Sequence, residues 1–529
     1  MNKFKNRANS RVSFGSAATL LFVVTLAGQM LGFLRNRLVS ANWNDPSQIG
    51  STDAFFAAFQ IPDFFFYTIA AGALGVAFMP VLAERLEAGD KKHLWAITSS
   101  ILNLLTIAML VVAVILFVFA QPLISALYPK LPEQNLNEAV LMLRLISLNP
   151  LFFTLAGIIT SVQQTFGRFF FYAIGPLIYN ASVIASIYIF KDSMGIVGLA
   201  VGAVIGGVLQ LLVSWMGMAG LKFKYTPKIF FKNKDFRHVL RQLPPRSLDQ
   251  GIDQVNSVVE LNRANNLGIG SISNYSYAVT LMNVPIMLLG SSIATAAFPR
   301  LNERLAQGRP DLFRKDFLSI LRTMIWLLMP VCVVAYFARG YLARLIFGNL
   351  APQVALIFGF LVVAVFFRSI YAMVSRYFYA QKDTVTPLLG SIAAIALNIY
   401  LAFTLARSDS YGVSGLALAQ SIVATAEVAL RFVVMVVRDP KLIDKYFWGG
   451  IFKIVAVTGF SLVAAFMMIS LLPLTTVDRG FVTLGVKLGT ISLVTLMVHI
   501  VVSWIFGLEE VKPIVDKAKK IVLGTVKIQ

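Results

Sequence analysis

The sequence predicts an all-α polytopic membrane protein, and three observations lead to that prediction. Hydrophobic residues make up 57% of the 529 residues, whereas charged residues make up only 13%, about half the usual share in soluble domains. Apolar runs of roughly 20 residues, long enough to cross a bilayer as helices, recur along the whole chain. The single cysteine, Cys332, excludes a disulfide scaffold.

Fourteen apolar segments are predicted to span the membrane, and we call them predicted spans 1 to 14. The first six are 15–38, 52–83, 94–120, 138–165, 169–190 and 195–221. The other eight are 243–267, 271–299, 317–340, 351–380, 385–405, 412–437, 449–473 and 481–507. Predicted span 7 carries five charges, and we retain it because the charge pattern on either side requires a crossing there.

The distribution of Lys and Arg predicts the orientation of these spans. The basic residues concentrate at the N-terminus, in every second connector and in the tail, within residues 3–11, 85–92, 222–241, 300–315 and 512–527. Cytoplasmic loops carry such an excess, so both termini are predicted to be cytoplasmic. The net charge of +21 therefore reflects orientation, and no nucleic-acid partner is expected.

The chain contains an internal duplication that predicts two lobes. Pro80, Leu82, Glu84, Arg85 and Leu86 recur at one constant spacing as Pro299, Leu301, Glu303, Arg304 and Leu305. Gly195 and Gly198 recur in the same way as Gly412 and Gly415. Parallel six-helix repeats around a central cavity are typical of transporters that work by alternating access. The predicted parts are an N-lobe (1–221), a basic connector (222–242), a C-lobe (243–438), two extra helices (439–508) and an amphipathic cytoplasmic tail (509–529).

Predicted span 7 carries a polar stripe that is the strongest candidate for a site. Its residues recur every three or four positions and therefore share one helical face: Arg246, Asp249, Asp253, Asn256, Glu260 and Arg263. Ionisable groups within a span are costly and tend to face protein or a water-filled cavity. The stripe is therefore interpreted as lining a cavity. The alternative is a self-paired stripe that only packs inside the bundle.

Further candidate binding residues lie on other predicted spans. Arg35 could contact an anion through its guanidinium fork or extend to the interface. Asp53 could act in the site or cap its own helix. Three amides complete the set of candidates: Asn274, Asn283 and Asn398. No metal-ligand spacing, phosphate-binding loop or nucleophile motif occurs, so neither an enzyme nor a bound cofactor is predicted.

Several motifs resemble the MurJ/MviN family of the multidrug/oligosaccharidyl-lipid/polysaccharide exporter superfamily. They are Gln29-Met30-Leu31-Gly32-Phe33-Leu34-Arg35, Thr52-Asp53-Ala54-Phe55-Phe56 through Pro62, and Phe378-Tyr379-Ala380-Gln381-Lys382-Asp383. The resemblance implies a lipid II flippase of the bacterial inner membrane, which acts in peptidoglycan biosynthesis and hence in cell-wall biogenesis and cell shape. It implies lipid II, membrane lipids and cell-wall synthesis proteins as partners. It also implies a lipid-tail groove formed by predicted spans 13 and 14.

The chain departs from the family where cationic side chains are usual. Gln29, Phe66–Tyr67 and Thr280 stand at positions where the family usually has arginine, and Asn36 and Ala71 replace acidic residues. Asp249 and Asp253, with Asn398 as a neutral ligand, suit a proton or Na⁺, and membrane potential is a further energy source. These departures leave open a flippase for another polyprenyl-linked oligosaccharide, an ion-coupled antiporter or a non-transporting scaffold. A polyprenyl-lipid transferase or phosphatase would need clustered acids or histidines on a loop, and none occurs.

Overall fold

The computed structural model describes residues 14–43, 49–71, 78–348, 351–476, 478 and 480–516. Within these ranges the chain forms nineteen α-helices and no strand. Ten helical stretches are long and apolar enough to cross a membrane. One of them, Phe170–Met216, contains two helices that pack against each other. The predicted all-α membrane fold is confirmed, and the count of fourteen spans stays a prediction.

By its internal contacts the chain divides into two compact units, Met1–Ser273 and Asn274–Gln529. The helices of the first unit, which we number in chain order, are α1 (Phe14–Asn42), α2 (Ile49–Phe66), α3 (Met79–Glu87), α4 (Lys91–Val118), α5 (Ala120–Leu127), α6 (Glu133–Ile146), α7 (Asn149–Thr165), α8 (Phe170–Met194), α9 (Gly198–Met216) and α10 (Lys234–Asn265). Helix α2 continues into a π-helical turn, Tyr67–Ala71.

Helix α11 (Ser271–Pro285) begins at the end of the first unit and continues into a second π-helical turn, Ile286–Ser291. The helices that follow in the second unit are α12 (Ser292–Ala306), α13 (Pro310–Phe337), α14 (Arg339–Phe347), α15 (Ala351–Ala380), α16 (Val385–Leu405), α17 (Ser414–Arg438), α18 (Lys445–Leu471) and α19 (Phe481–Ile505). Helices α18 and α19 pack against each other, and α18 also packs on α13.

The helix that contains predicted span 7 begins earlier than the apolar pattern indicates. Helix α10 begins at Lys234, because the Asn233 side chain accepts hydrogen bonds from the backbone N–H groups of the first turn. Arg85 binds Asp235 through two hydrogen bonds of 2.7 and 2.9 Å. Further along α10, Gly251 lies against Thr68. These contacts group α10 with the first unit, whereas the sequence places it in the C-lobe. The predicted lobe boundaries stay a prediction.

The two halves of the duplication share backbone features at the same spacing. The π-helical turns begin at Tyr67 and at Ile286, which are separated by the same interval as Pro80 and Pro299. Gly89 and Gly308, which follow equivalent helices, have φ angles of +73° and +67°. These matching π-helical turns and glycine φ angles show that the repeated sequence motifs form repeated structure.

The chain after α19 folds back onto the second unit. Leu508 and Val511 are buried in the same apolar cluster as Phe317 and Leu321 of α13. The carboxylate of Glu510 accepts a hydrogen bond of 2.7 Å from Nε of Arg322, and both side chains are buried. The first part of the predicted amphipathic tail therefore packs on protein, while residues 517–529 lie outside the described residues.

Candidate functional site

A cluster of polar side chains surrounds Arg35 within the apolar helices of the first unit. The guanidinium donates from Nη1 to Oδ1 of Asn180 at 3.1 Å, and from Nε and Nη2 to Oδ1 of Asn36 at 3.3 Å. The carboxylate of Asp63 interacts electrostatically with Arg35 and with the nearby Tyr67 and Tyr179. We call this set the Arg35 cluster: Arg35, Asn36, Asp63, Tyr67, Tyr179 and Asn180.

The Arg35 cluster brings together three elements of the chain that are far apart in sequence. Arg35 lies on α1, Asp63 lies on α2, and Asn180 lies on α8, against which α1 packs. All three side chains remain partly exposed. Two amide oxygens orient the guanidinium without cancelling its charge. The N–H groups of the guanidinium that do not donate to Asn36 or Asn180 can therefore donate to an anionic oxygen.

Asp53 is buried and fully engaged as a helix cap. Its carboxylate accepts hydrogen bonds from the backbone N–H groups of Gly270 at 2.6 Å and Ser273 at 2.7 Å, and from the Ser273 hydroxyl. These are the free N–H groups at the start of α11, where a negative charge is favoured. The neighbouring Thr52 hydroxyl lies 2.9 Å from the same Ser273 oxygen. Asp53 therefore caps α11, whereas the sequence suggested a cap on its own helix.

The polar stripe of α10 is only partly described. The side chains of Arg246 and Asp249 lie outside the described residues, although both positions belong to the helix. Asp253 is exposed, whereas Asn256 and Glu260 are buried, and Asn256 donates to Glu260 at 3.0 Å. Arg263 is half-buried. The stripe thus changes along the helix from an exposed carboxylate to a buried, hydrogen-bonded pair.

The remaining amide candidates fall in the second unit and do not form one cluster. Asn398 of α16 is buried, and Asn283 of α11 is exposed. The Oδ1 atom of Asn274 is buried without a hydrogen-bond partner among the described residues. Among those residues, no group of three or more His, Cys, Asp or Glu side chains could hold a metal ion. The binding and ion-coupling assignments of these residues stay predictions.

Sequence reasoning missed Asp63, although a usable signal was present. Asp63 follows Pro62 within a run of phenylalanines, whose hydropathy indicates only an apolar segment. The argument that singled out the charges of predicted span 7 applies equally to a lone carboxylate in this run. What the sequence could not supply is the partner, because Arg35 lies on a different helix.

An apolar groove opens on the second unit where α18 meets α13, α15 and α17. Its volume is about 550 Å³, and all of its lining side chains are apolar. Phe447, Trp448 and Ile451 contribute from α18, while Met329 and Phe432 contribute from α13 and α17. We call it the α18 groove. Since α18 follows the last of the repeated motifs in the chain, the groove includes a helix beyond the internal duplication.

A family model supplies the evidence that decides membership. The model of the lipid II flippase MurJ matches residues 50–486, which is most of the chain. The chain belongs to this family. A probable lipid II flippase MurJ of Thermotoga maritima is 26% identical over 512 residues, which cover 94% of this chain and 98% of that protein. The family consists of transporters, so the chain is a multi-pass protein of the bacterial inner membrane and not an enzyme.

Solved structures show the same fold. A lipid II flippase MurJ in an inward closed conformation matches with a TM-score of 0.77 at 22% identity, covering 92% of this chain and 98% of that one. An inward-facing MATE family multidrug transporter matches with a TM-score of 0.64 at 15% identity, covering 79% and 98%. The resemblance to the MurJ family that the motifs indicated is confirmed.

Proposed function

We propose that the protein moves lipid II, the undecaprenyl-diphosphate-linked peptidoglycan precursor, from the inner to the outer leaflet by alternating access. The observation that carries the proposal is the α18 groove, which includes a helix beyond the internal duplication. A groove without polar lining atoms suits a polyprenyl chain, because burying apolar surface there costs no hydrogen bond. Family membership supplies the substrate class, since the matching relatives are named lipid II flippases.

The Arg35 cluster supplies a cation for the diphosphate. A guanidinium pairs with phosphate oxygens through two parallel N–H bonds, and the partly exposed Arg35 has the required donors. The two amides that hold it fix its direction before substrate arrives. Glu260, Asn256, Arg246 and Arg263 of α10 are further proposed substrate contacts in the first unit, and Asn274 and Asn283 are proposed contacts in the second unit.

The orientation of the chain forms part of the proposal. Cytoplasmic connectors attract lysine and arginine, so we place both termini in the cytoplasm. The basic connector 222–242 and the tail 509–529 then face the same side. Proteins of cell-wall synthesis are proposed as partners on the basis of the pathway that supplies and consumes lipid II.

Ion coupling through Asp249, Asp253 and Asn398 remains a proposal with its own test. Asp253 is exposed and can exchange a proton or a cation with water, while Asn398 offers a neutral oxygen within a span. Lipid II transport in liposomes with imposed Na⁺ and pH gradients would be measured for Asp253→Asn. An unchanged gradient dependence would leave membrane potential as the energy source.

Replacing Arg35 tests the proposal directly. In proteoliposomes that contain fluorescent lipid II, Arg35→Ala should lower the flipping rate about tenfold or more, because one charge-assisted contact to phosphate contributes roughly 1.5–3 kcal/mol. Arg35→Lys should restore part of the rate, since it keeps the charge and loses the fork. The measurement is the fraction of lipid II that becomes accessible to an external quencher with time.

Arg37→Ala is the matched control, because Arg37 lies two residues further along α1 and projects from a different face of that helix. It should flip lipid II at the native rate. Full activity of Arg35→Ala would remove Arg35 from the site. Loss of activity in both variants would point to a disturbed helix α1.

Another polyprenyl-linked oligosaccharide is the alternative substrate, and one observation favours it. Asp63 interacts electrostatically with Arg35, and Gln29 and Phe66–Tyr67 stand where the family usually has arginine, so the site is less cationic than the family pattern. Flipping of lipid II would be compared with flipping of an undecaprenyl-diphosphate carrier that bears a different glycan. A higher rate for the second lipid would favour the alternative.

A further inference from the structure

A second groove on the second unit differs from the α18 groove in having a charged group at one end. It lies where α15 and α17 pack side by side, and its volume is about 660 Å³. Leu356, Phe360 and Val363 line one wall, while Leu418 and Ile422 line the other. We call it the Arg339 groove after the residue at its end. The volume is within the range of ordinary ligand pockets.

The walls follow the periodicity of two helices. The lining positions of α15 recur at 356, 359, 360 and 363, and those of α17 recur at 418, 421, 422, 425 and 426, so each set forms one face. At 1.5 Å per residue each face extends about 10–12 Å along its helix. That length is roughly a third of the hydrocarbon thickness of a bilayer. Gly359 and Ala426 have small side chains, which leaves the space between the walls open.

The hydroxyl groups in the groove are already hydrogen-bonded within the protein. Ser421 donates to the carbonyl of Phe360 at 2.6 Å and accepts from the N–H of Ala364 at 3.1 Å. Thr425 donates to the carbonyl of Ser421 at 2.8 Å. Exposed apolar side chains, including Leu356 and Val363, complete the surface. The interior of the groove therefore presents apolar surface to a ligand.

Arg339 is the one charged group of the groove lining. Its side chain crosses Gly359 so closely that a Cβ atom there would lie 3.1 Å from Cδ of Arg339. Nη1 donates to the carbonyl of Tyr336 at 2.7 Å, and the guanidinium lies 4.5 Å from the centre of that ring. No ion pair of Arg339 occurs among the described residues. Its guanidinium is therefore held in place by Tyr336, while no carboxylate of the described residues neutralises its charge.

Arg339 lies close to the end of a helix long enough to cross a membrane, where lipid headgroups are expected. It directly follows the 28-residue helix α13, whose length exceeds the roughly 20 residues needed to cross the hydrocarbon core. Tyr336, one turn earlier, is 46% exposed, and exposed tyrosines are typical of the membrane interface. The groove extends from Arg339 along the membrane-spanning parts of α15 and α17.

We propose that the Arg339 groove binds one anionic phospholipid, with the phosphate on Arg339 and an acyl chain between α15 and α17. The arginine fork pairs with phosphate oxygens, and the apolar walls match an acyl chain. An anionic headgroup is required because a zwitterionic lipid would bring its own cation beside the uncompensated guanidinium. This site is separate from the α18 groove and does not depend on lipid II being the transported substrate.

Lipid retention by the purified full-length protein tests the proposal. Protein in detergent would be mixed with phosphatidylglycerol or with phosphatidylcholine that has the same acyl chains, and bound lipids would be counted by native mass spectrometry. The native protein should retain one phosphatidylglycerol in preference to phosphatidylcholine. Arg339→Gln should lower that preference about fivefold, the effect of about 1 kcal/mol per basic residue near anionic lipid, and Arg339→Lys should keep most of it.

Two further variants separate the groove from the general charge of the protein. Ala426→Phe fills the groove and should lower retention of the anionic lipid while Arg339 is intact. Arg344 lies on the same helix, α14, and donates a hydrogen bond to the carbonyl of Thr475. The variant Arg344→Gln should therefore retain lipid as the native protein does. Equal retention of both lipids by the native protein, or native retention by Arg339→Gln, would overturn the proposal.

Discussion

At the residue scale, the notable feature of the candidate site is a cation and a carboxylate that are near enough to interact electrostatically. Arg35 is held by two amides and lies within the electrostatic influence of Asp63. A charge within apolar helices is tolerated only when its hydrogen bonds are satisfied, and the side-chain oxygens of Asn36 and Asn180 accept those of Arg35. An anionic substrate at Arg35 must therefore compete with Asp63.

Removing that competing charge is expected to strengthen substrate binding. In Asp63→Asn the carboxylate no longer repels the diphosphate, so lipid II should bind about tenfold more tightly, which corresponds to roughly 1.4 kcal/mol. Binding of fluorescent lipid II to protein in detergent measures the effect. Asp63→Glu keeps the charge and should bind as the native protein does. Weaker binding to Asp63→Asn would mean that Asp63 mainly orients Arg35.

For Asp53 the sequence predicts the chemistry of the side chain correctly, but it predicts the wrong helix as the one that is capped. The sequence indicated a capping carboxylate, and the structure contains one. The helix that it caps, α11, begins more than 200 residues later in the chain. A short stretch of sequence predicts that a carboxylate can cap a helix, but it does not predict which distant helix the carboxylate caps.

At the element scale, helices α16 and α17 are joined by two arginines that lie two turns apart on α17. Arg438 binds Asp383 at 2.5 Å, just before α16, and Arg431 donates to the carbonyl of Pro387 at 2.8 Å. Arg431 is buried and also pairs with Glu427 at 2.9 Å. Burying the charge of Arg431 is tolerated because it meets the carboxylate of Glu427, the carbonyl of Pro387 and the hydroxyl of Ser391. The pairs fix the α16–α17 hairpin at one end.

Acid is expected to weaken this end of the hairpin. Hydrogen bonds from Thr386 and the charge of Arg438 lower the pKa of Asp383 to about 2, despite the opposing effect of its burial. A lowered pKa in the folded state means that the stabilisation is present above about pH 4 and is lost as the pH falls through about 2. The loss should be about 2 kcal/mol at most.

Thermal unfolding in detergent, followed between pH 6 and pH 2, measures this loss. Asp383→Asn is the control, because the amide still accepts hydrogen bonds from the N–H groups of Val385 and Thr386 but does not titrate. The native protein should lose stability relative to this variant between about pH 4 and pH 2. Parallel curves for the two proteins would contradict the role of Asp383.

Helix α10 illustrates why an element is predicted more reliably than its surroundings. The three-or-four spacing of its polar residues correctly indicates a helix with one polar face. The pattern does not distinguish a wet cavity from a self-paired stripe, because both place the same residues on the same face. The structure contains one exposed member, Asp253, and one buried hydrogen-bonded pair, Asn256 and Glu260.

At the scale of the whole molecule, the duplication sets the backbone in both halves of the chain. Gly195 and Gly412 begin equivalent segments and have nearly equal φ angles of +56° and +54°. Residues other than glycine rarely adopt a positive φ angle, which explains the glycine at both positions. The two halves have diverged in their polar contacts: Arg85 pairs with Asp235 of α10, whereas its equivalent Arg304 pairs with Asp316 of α13.

Replacing either of the equivalent glycines, Gly195 or Gly412, should therefore lower the stability of the protein by a similar amount. Gly195→Ala and Gly412→Ala should each destabilise the protein by about 1–3 kcal/mol, because alanine is strained at a positive φ angle. Gly449→Ala, at an open position within α18, should be neutral or slightly stabilising. Chemical unfolding in detergent measures all three variants. A large difference between the first two would show that the duplicated turns no longer carry equal strain.

The sequence by itself determined the fold class, the duplication and the family. Each of these depends on local composition, on spacing along the chain or on motifs, all of which survive without knowledge of contacts. Only the tertiary structure decided that Arg35 lies within the electrostatic influence of Asp63, that Asp53 caps α11 and that Arg322 binds Glu510 after the last helix. These pairs join residues that are tens to hundreds of positions apart, and helical periodicity fixes only which face a side chain occupies. Which other helix that face meets is decided by packing.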